Sequence, residues 1–147
     1  MMHVIRIPFA LVVVFVFCIN PLTAHARDFM VGTLAYSLVA EGYPNVFVQG
    51  AITKRSAWFL DKCSDDGNTV AGLYKGYWRG FADGPYWFGG LIYVEKGSRA
   101  GTSLTAGLGY EHLLKSNISI GAYTGYAAGA EGQRFGVFDI TLAYVFH

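Results

Sequence analysis

The sequence predicts an all-β chain: a small antiparallel up-and-down β-barrel, preceded by a cleaved export signal. Three observations carry this. From residue 45 onward, segments of alternating side-chain character follow one another, separated by turn-forming residues. After residue 26 no apolar run reaches the roughly 20 residues a spanning helix needs. All 19 glycines, ten tyrosines and three tryptophans also lie after residue 26. A chain this apolar without a long apolar run hides its hydrophobicity in alternation, as barrel strands do.

Residues 1–26 read as a secretory signal peptide and 27–147 as one domain. Arg6 supplies the positive start, Ile7 to Ile19 the apolar stretch, Pro21 the break, and Ala24-His25-Ala26 a small-x-small cleavage site. The apolar stretch is short for a bilayer, which sets aside the rival reading of an uncleaved anchor. Cys18 follows Phe17, which rules against a lipid-modified cysteine. Cys63 is then the one cysteine of the mature domain, so the fold stands without an internal disulfide. Lys and Arg number 11 against 10 Asp and Glu, and this near balance provides no field for nucleic acid.

Phe29 to Glu41 fits either a strand, through Met30, Gly32, Leu34, Tyr36 and Leu38, or a short amphipathic helix with Asp28 as N-cap. Val46 to Lys54 is the first clear strand. Trp58-Phe59-Leu60, after a Lys54-Arg55-Ser56 turn, is a candidate extra strand. Asn68 to Arg79 is the second clear strand and Pro85 to Glu95 the third. In the fourth, Thr102 to His112, Leu104, Ala106, Leu108 and Tyr110 oppose Ser103, Thr105, Gly107 and Gly109. In the fifth, Asn117 to Ala127, Ile118, Ile120, Ala122 and Tyr126 oppose Ser119, Gly121 and Gly125. In the sixth, Phe135 to Phe146, Phe138, Ile140, Leu142, Tyr144 and Phe146 oppose Asp139, Thr141, Ala143 and Val145. Six strands are clear, and the two candidates bring the count to eight.

The last three strands set an apolar face against Ser, Thr, Gly, Ala and Asp. A narrow membrane barrel needs this: apolar side chains toward lipid and small or polar ones in the lumen. Trp78, Tyr86, Trp87, Tyr110, Tyr126, Tyr144 and Phe146 stand near strand ends, where interfacial girdles place aromatics. The connections read as long, short, long, short, long. Arg55 to Gly67, Lys96 to Gly101 and Ala128 to Arg134 are then expected at an outer rim, with both chain ends on the periplasmic side. The expected location is the outer membrane, with the periplasm as the alternative. Outer-membrane lipids or lipopolysaccharide and the barrel-insertion machinery are the expected partners. The aromatic that such machinery reads stands one place early, in Phe146-His147.

Chemistry-bearing patterns are sparse. No metal-ligand spacing appears, and the glycines at 107–109 and 121–129 precede no helix pattern, so no phosphate loop and no cofactor is expected. Asp61, Asp65, Asp66 and Asn68 read as a solvated loop. His112 with Ser98, Ser103 or Ser116 would make a Ser-His pair, but His112 and Ser98 are expected at opposite rims. Lys54, Arg55, Lys62, Arg99 and Arg134 suit anionic lipid head groups, or serve as solvated charges.

The segment Ala51-Ile52-Thr53-Lys54-Arg55-Ser56-Ala57-Trp58-Phe59-Leu60-Asp61-Lys62 resembles the first strand and outer loop of the lipid A palmitoyltransferases. Gly80-Phe81-Ala82-Asp83-Gly84, Glu95-Lys96-Gly97-Ser98 and Gly107-Leu108-Gly109-Tyr110-Glu111 are similar to that family's next landmarks, in the same order. The resemblance spans about residues 43–127. It implies an eight-stranded outer-membrane barrel that moves a palmitoyl chain from a phospholipid to lipid A. It places Ser98 at the catalytic serine. Arg55 stands at the family's histidine and Gly97 at its aspartate, and the proline-containing strand region after the fifth strand is missing. Without the histidine no base is evident to activate Ser98. Three readings follow: a palmitoyltransferase-like barrel without activity, an active lipid A acyltransferase, and a soluble periplasmic barrel that binds an apolar ligand.

Overall fold

A computed structural model of the chain describes residues 28–64, 67–114, 117–129, 132 and 134–147. The expected signal segment lies outside these residues, as do Asp65, Asp66 and Ser116. Eight antiparallel strands follow one another around a closed barrel in chain order. They are β1 (Phe29–Leu34), β2 (Asn45–Thr53), β3 (Ser56–Cys63), β4 (Asn68–Tyr77), β5 (Gly84–Lys96), β6 (Arg99–Leu113), β7 (Ile118–Gly129) and β8 (Arg134–Phe146). Pairing of β1 with β8, Phe29 opposite Phe146, closes the barrel. Closure removes the sheet edges, whose unpaired backbone groups would otherwise need covering.

The register fixes the barrel's shape. Successive partners run from Phe29 through Gly50, Trp58, Tyr74, Gly89, Ala106, Tyr126 and Gly136. The β1–β8 register, in which paired numbers sum to 175, then returns to position 39, a shear of ten residues from 29. With eight strands this corresponds to a tilt of roughly 40°. The lumen is therefore narrow enough for side chains to fill it.

Phe29 to Glu41 holds both a strand and a helix, but the helix starts at Ala35 with Leu34 at its N-cap, which corrects the reading of Asp28 as the cap. The first half is β1, and α1 (Ala35–Val39) follows directly. The stretch Arg55 to Gly67 is not one outer loop, which corrects the expected rhythm of connections. Lys54-Arg55 makes a tight turn, and Ser56–Cys63 forms a complete strand paired on both sides. The alternation was already present: Ala57, Phe59, Asp61 and Cys63 are buried, with Trp58, Leu60 and Lys62 between them. β2, β4 and β6 end at the rim that carries Asp28 and His147, the two ends of the described chain. β3, β5 and β7 end at the opposite rim, where α1 also lies. There the β5–β6 hairpin closes on Gly97-Ser98, with Gly97 at φ 60. A two-residue hairpin turn with positive φ at its first central position favours glycine.

Leu104, Leu108, Ile140 and Leu142 point outward, with Leu104 69% and Leu108 58% exposed. Their strand neighbours Ser103, Thr105, Asp139 and Thr141 point inward and are buried. Trp78, Trp87, Tyr110, Tyr126, Tyr144 and Phe146 are exposed as expected, but Tyr86 is fully buried in the lumen. It shares its face with Phe88, so strand parity turns it inward while Trp87 turns out. Glycines give these rings room. A Cβ at Gly107 would collide with the Phe88 ring, and one at Gly109 with the Tyr86 ring.

Candidate functional site

The lumen divides into a plugged half beside the chain ends and an open half beneath α1. The plug is built on β2, β4 and β6. Lys75 Nζ donates to Glu111 Oε1 at 2.7 Å, and the two side chains are 2% and 1% exposed. Tyr77 Oη donates to Glu111 Oε2 at 2.6 Å, and Gln49 Nε2 donates to Tyr77 Oη at 2.7 Å. The Lys75 ammonium also lies 4.5 Å from the ring centres of Phe59 and Tyr86. The counter-charge, hydrogen bonds and aromatic faces there offset the loss of water around a buried ammonium. Beside the plug, Met30, Phe47, Ala82 and Val145 belong to a buried apolar cluster that also takes in Leu34 and Phe59. Among the described residues, this packing and the Lys75–Glu111 pair fill that half of the lumen.

Above the plug lies a cavity of about 300 Å³. Phe59, Leu73, Phe88, Ile92 and Val137 are among its apolar walls, and Asp61, Asp139, Tyr123 and Cys63 bring polar groups into it. Asp139 also holds α1 over the mouth. Its carboxylate accepts from Ser37 Oγ at 2.5 Å, from the Tyr36 amide at 3.0 Å and from the Ile140 amide at 2.8 Å. A carboxylate that collects backbone amides at a helix start both orients the helix and satisfies its free donors. Asp61 differs: its Oδ1 is buried and accepts no hydrogen bond. A buried polar atom without a partner is uncommon and calls for a reason.

The residues singled out from sequence do not converge on this site. Ser98 is exposed in the β5–β6 turn, and Arg99 and Arg134 are exposed at the same rim. Lys62 approaches that rim from the outer face of β3. Arg55 is exposed at the opposite rim, in the β2–β3 turn. The positions that the resemblance assigns to its histidine and serine thus stand at opposite ends of the barrel. His112 is exposed beside Asp83, 3.7 Å away, at the rim of the chain ends and far from Ser98. Asp61 belongs to a strand and faces the lumen, which corrects its reading as part of a solvated loop; Asn68 begins β4.

Sequence reasoning missed Lys75, Tyr77, Gln49 and Asp61 as lumen residues. Glu111 carried a usable signal, since it continues the inward series Ser103, Thr105, Gly107, Gly109. Lys75 carried a weaker one, because both faces of its strand hold large apolar residues. Comparison of the chain with protein-family models, with curated proteins and with solved structures finds no match.

Proposed function

We propose that the mature chain is an integral barrel of a bacterial outer membrane that does not conduct and that offers a ligand cavity at its loop-bearing outer rim. The observation that carries this reading is the outer wall. Leu91, Leu104, Leu108, Phe138, Ile140 and Leu142 are all exposed around the middle of their strands. A soluble barrel would turn such residues inward, because a contiguous apolar surface of this kind drives association in water. In a bilayer the same wall is solvated by acyl chains. Exposed Trp78, Tyr110, Tyr126 and Tyr144 suit the interfacial layers. The chain ends then face the periplasm and the cavity opens outward. Arg99 and Arg134 stand where lipopolysaccharide phosphates would meet them, and Arg55 lies on the periplasmic side.

The polar plug supports a binding role over a pore. The acyltransferase reading receives no comparable support: Ser98 sits exposed in a two-residue turn, and no residue of that turn can act as its base. Fractionation with heat-dependent gel mobility tests the main proposal. The mature protein is expected in the outer-membrane fraction, with faster migration before boiling than after it. Recovery from the soluble periplasm without detergent would overturn it.

A further inference from the structure

We infer that the cavity beneath α1 is a binding site for a compact organic cation: an amine carrying a small apolar body. The inference rests on the barrel lumen and deepens the binding role proposed above. The cavity, about 300 Å³, falls at the small end of ligand pockets, which run roughly from 300 to 1,000 Å³. Its charged lining residues are Glu41, Asp61 and Asp139; among the described residues no lysine, arginine or histidine lines it. An anionic ligand would therefore meet like charge.

The carboxylates have different tasks. The Asp139 oxygens are occupied by Ser37, the Tyr36 amide and the Ile140 amide. Asp61 Oδ1 is buried in the cavity wall without a hydrogen-bond partner. An ammonium group supplies both the donor and the opposite charge that this oxygen lacks, in a charge-assisted hydrogen bond. Phe88 and Tyr123, in edge-to-face contact at 5.6 Å, offer aromatic surface for the ligand's apolar body. A purely apolar ligand would fit the walls but leave Asp61 Oδ1 without a donor.

The test uses the mature barrel refolded in dodecyl maltoside micelles and titrated calorimetrically with 2-phenylethylamine, with 2-phenylethanol as its neutral counterpart. Saturable binding of the amine is expected, with the alcohol at least tenfold weaker. Asp61→Asn should weaken amine binding at least tenfold and leave the alcohol unchanged. Ala71→Leu, which fills part of the cavity while keeping Asp61, should abolish amine binding. Heat-dependent gel mobility of each variant reports an intact barrel, so loss of binding is separable from loss of fold. That same mobility, measured on wild type in membranes, reports the membrane proposal independently. Absence of saturable amine binding, equal affinity for amine and alcohol, or unchanged amine affinity in Asp61→Asn would each overturn the inference.

Discussion

Replacing Lys75 with methionine tests whether the lumen is held by a mutually dependent pair. Methionine keeps much of the lysine's apolar length and removes its charge. Glu111 Oε1 then loses its 2.7 Å donor in a site where the side chain is 1% exposed. Tyr77 and Gln49 remain on the other oxygen, Oε2, at 2.6 and 3.5 Å. Breaking one side of a buried pair costs about 3–5 kcal/mol, because the remaining charge is left dry and uncompensated. Glu111→Gln should cost somewhat less, about 2–4 kcal/mol, since the ammonium keeps two aromatic faces at 4.5 Å. In the double variant neither charge remains. Its loss should fall below the sum of the single losses by about 2 kcal/mol or more. The assay is reversible urea unfolding of the refolded barrel in lipid vesicles, followed by tryptophan fluorescence, with each midpoint shift read at constant m. Additivity within about 0.5 kcal/mol would refute the coupling. A Lys75→Met loss below about 1 kcal/mol would refute the claim that the pair is buried and dry.

Three further substitutions separate the inner and outer walls. Gly107→Val should destabilise the barrel by about 1–3 kcal/mol or prevent its folding, since a Cβ there meets the Thr124 carbonyl, the Phe88 ring and Gly125. Gly72→Ala, with nothing within 4 Å of the added carbon, should leave the urea midpoint unchanged or raise it slightly. Equal effects of the two changes would remove the argument that lumen glycines make room for rings. Leu108→Arg places a charge on the outer wall where the side chain is 58% exposed. In a bilayer it should cost about 2–4 kcal/mol of folding free energy near the midplane; a neutral effect in vesicles would contradict a lipid-facing wall.

Barrel character, strand order and the outward direction of Leu104, Leu108, Ile140 and Leu142 were legible in the sequence alone. Alternation is a local property: once one face of β6 or β8 is apolar and the other small or polar, the pleat assigns both directions without knowledge of the partner strands. Local pattern failed where both faces of a strand are large. In β4, Leu73, Lys75 and Tyr77 compete with Val70 and Tyr74 for the interior, and only closure of the sheet decided between them. In Arg55 to Gly67 the local pattern offered only Trp58-Phe59-Leu60 as a candidate strand, and pairing on both sides extends it to Ser56–Cys63. The plug and the cavity belong wholly to the tertiary structure. Lys75 and Glu111 are 36 positions apart on strands that do not pair with each other. Asp139 meets Ser37 across 102 positions, through the closure of β8 onto β1. A shear of ten residues around eight strands brings each group to its partner in the lumen, and burial then makes each charge depend on the partner found there.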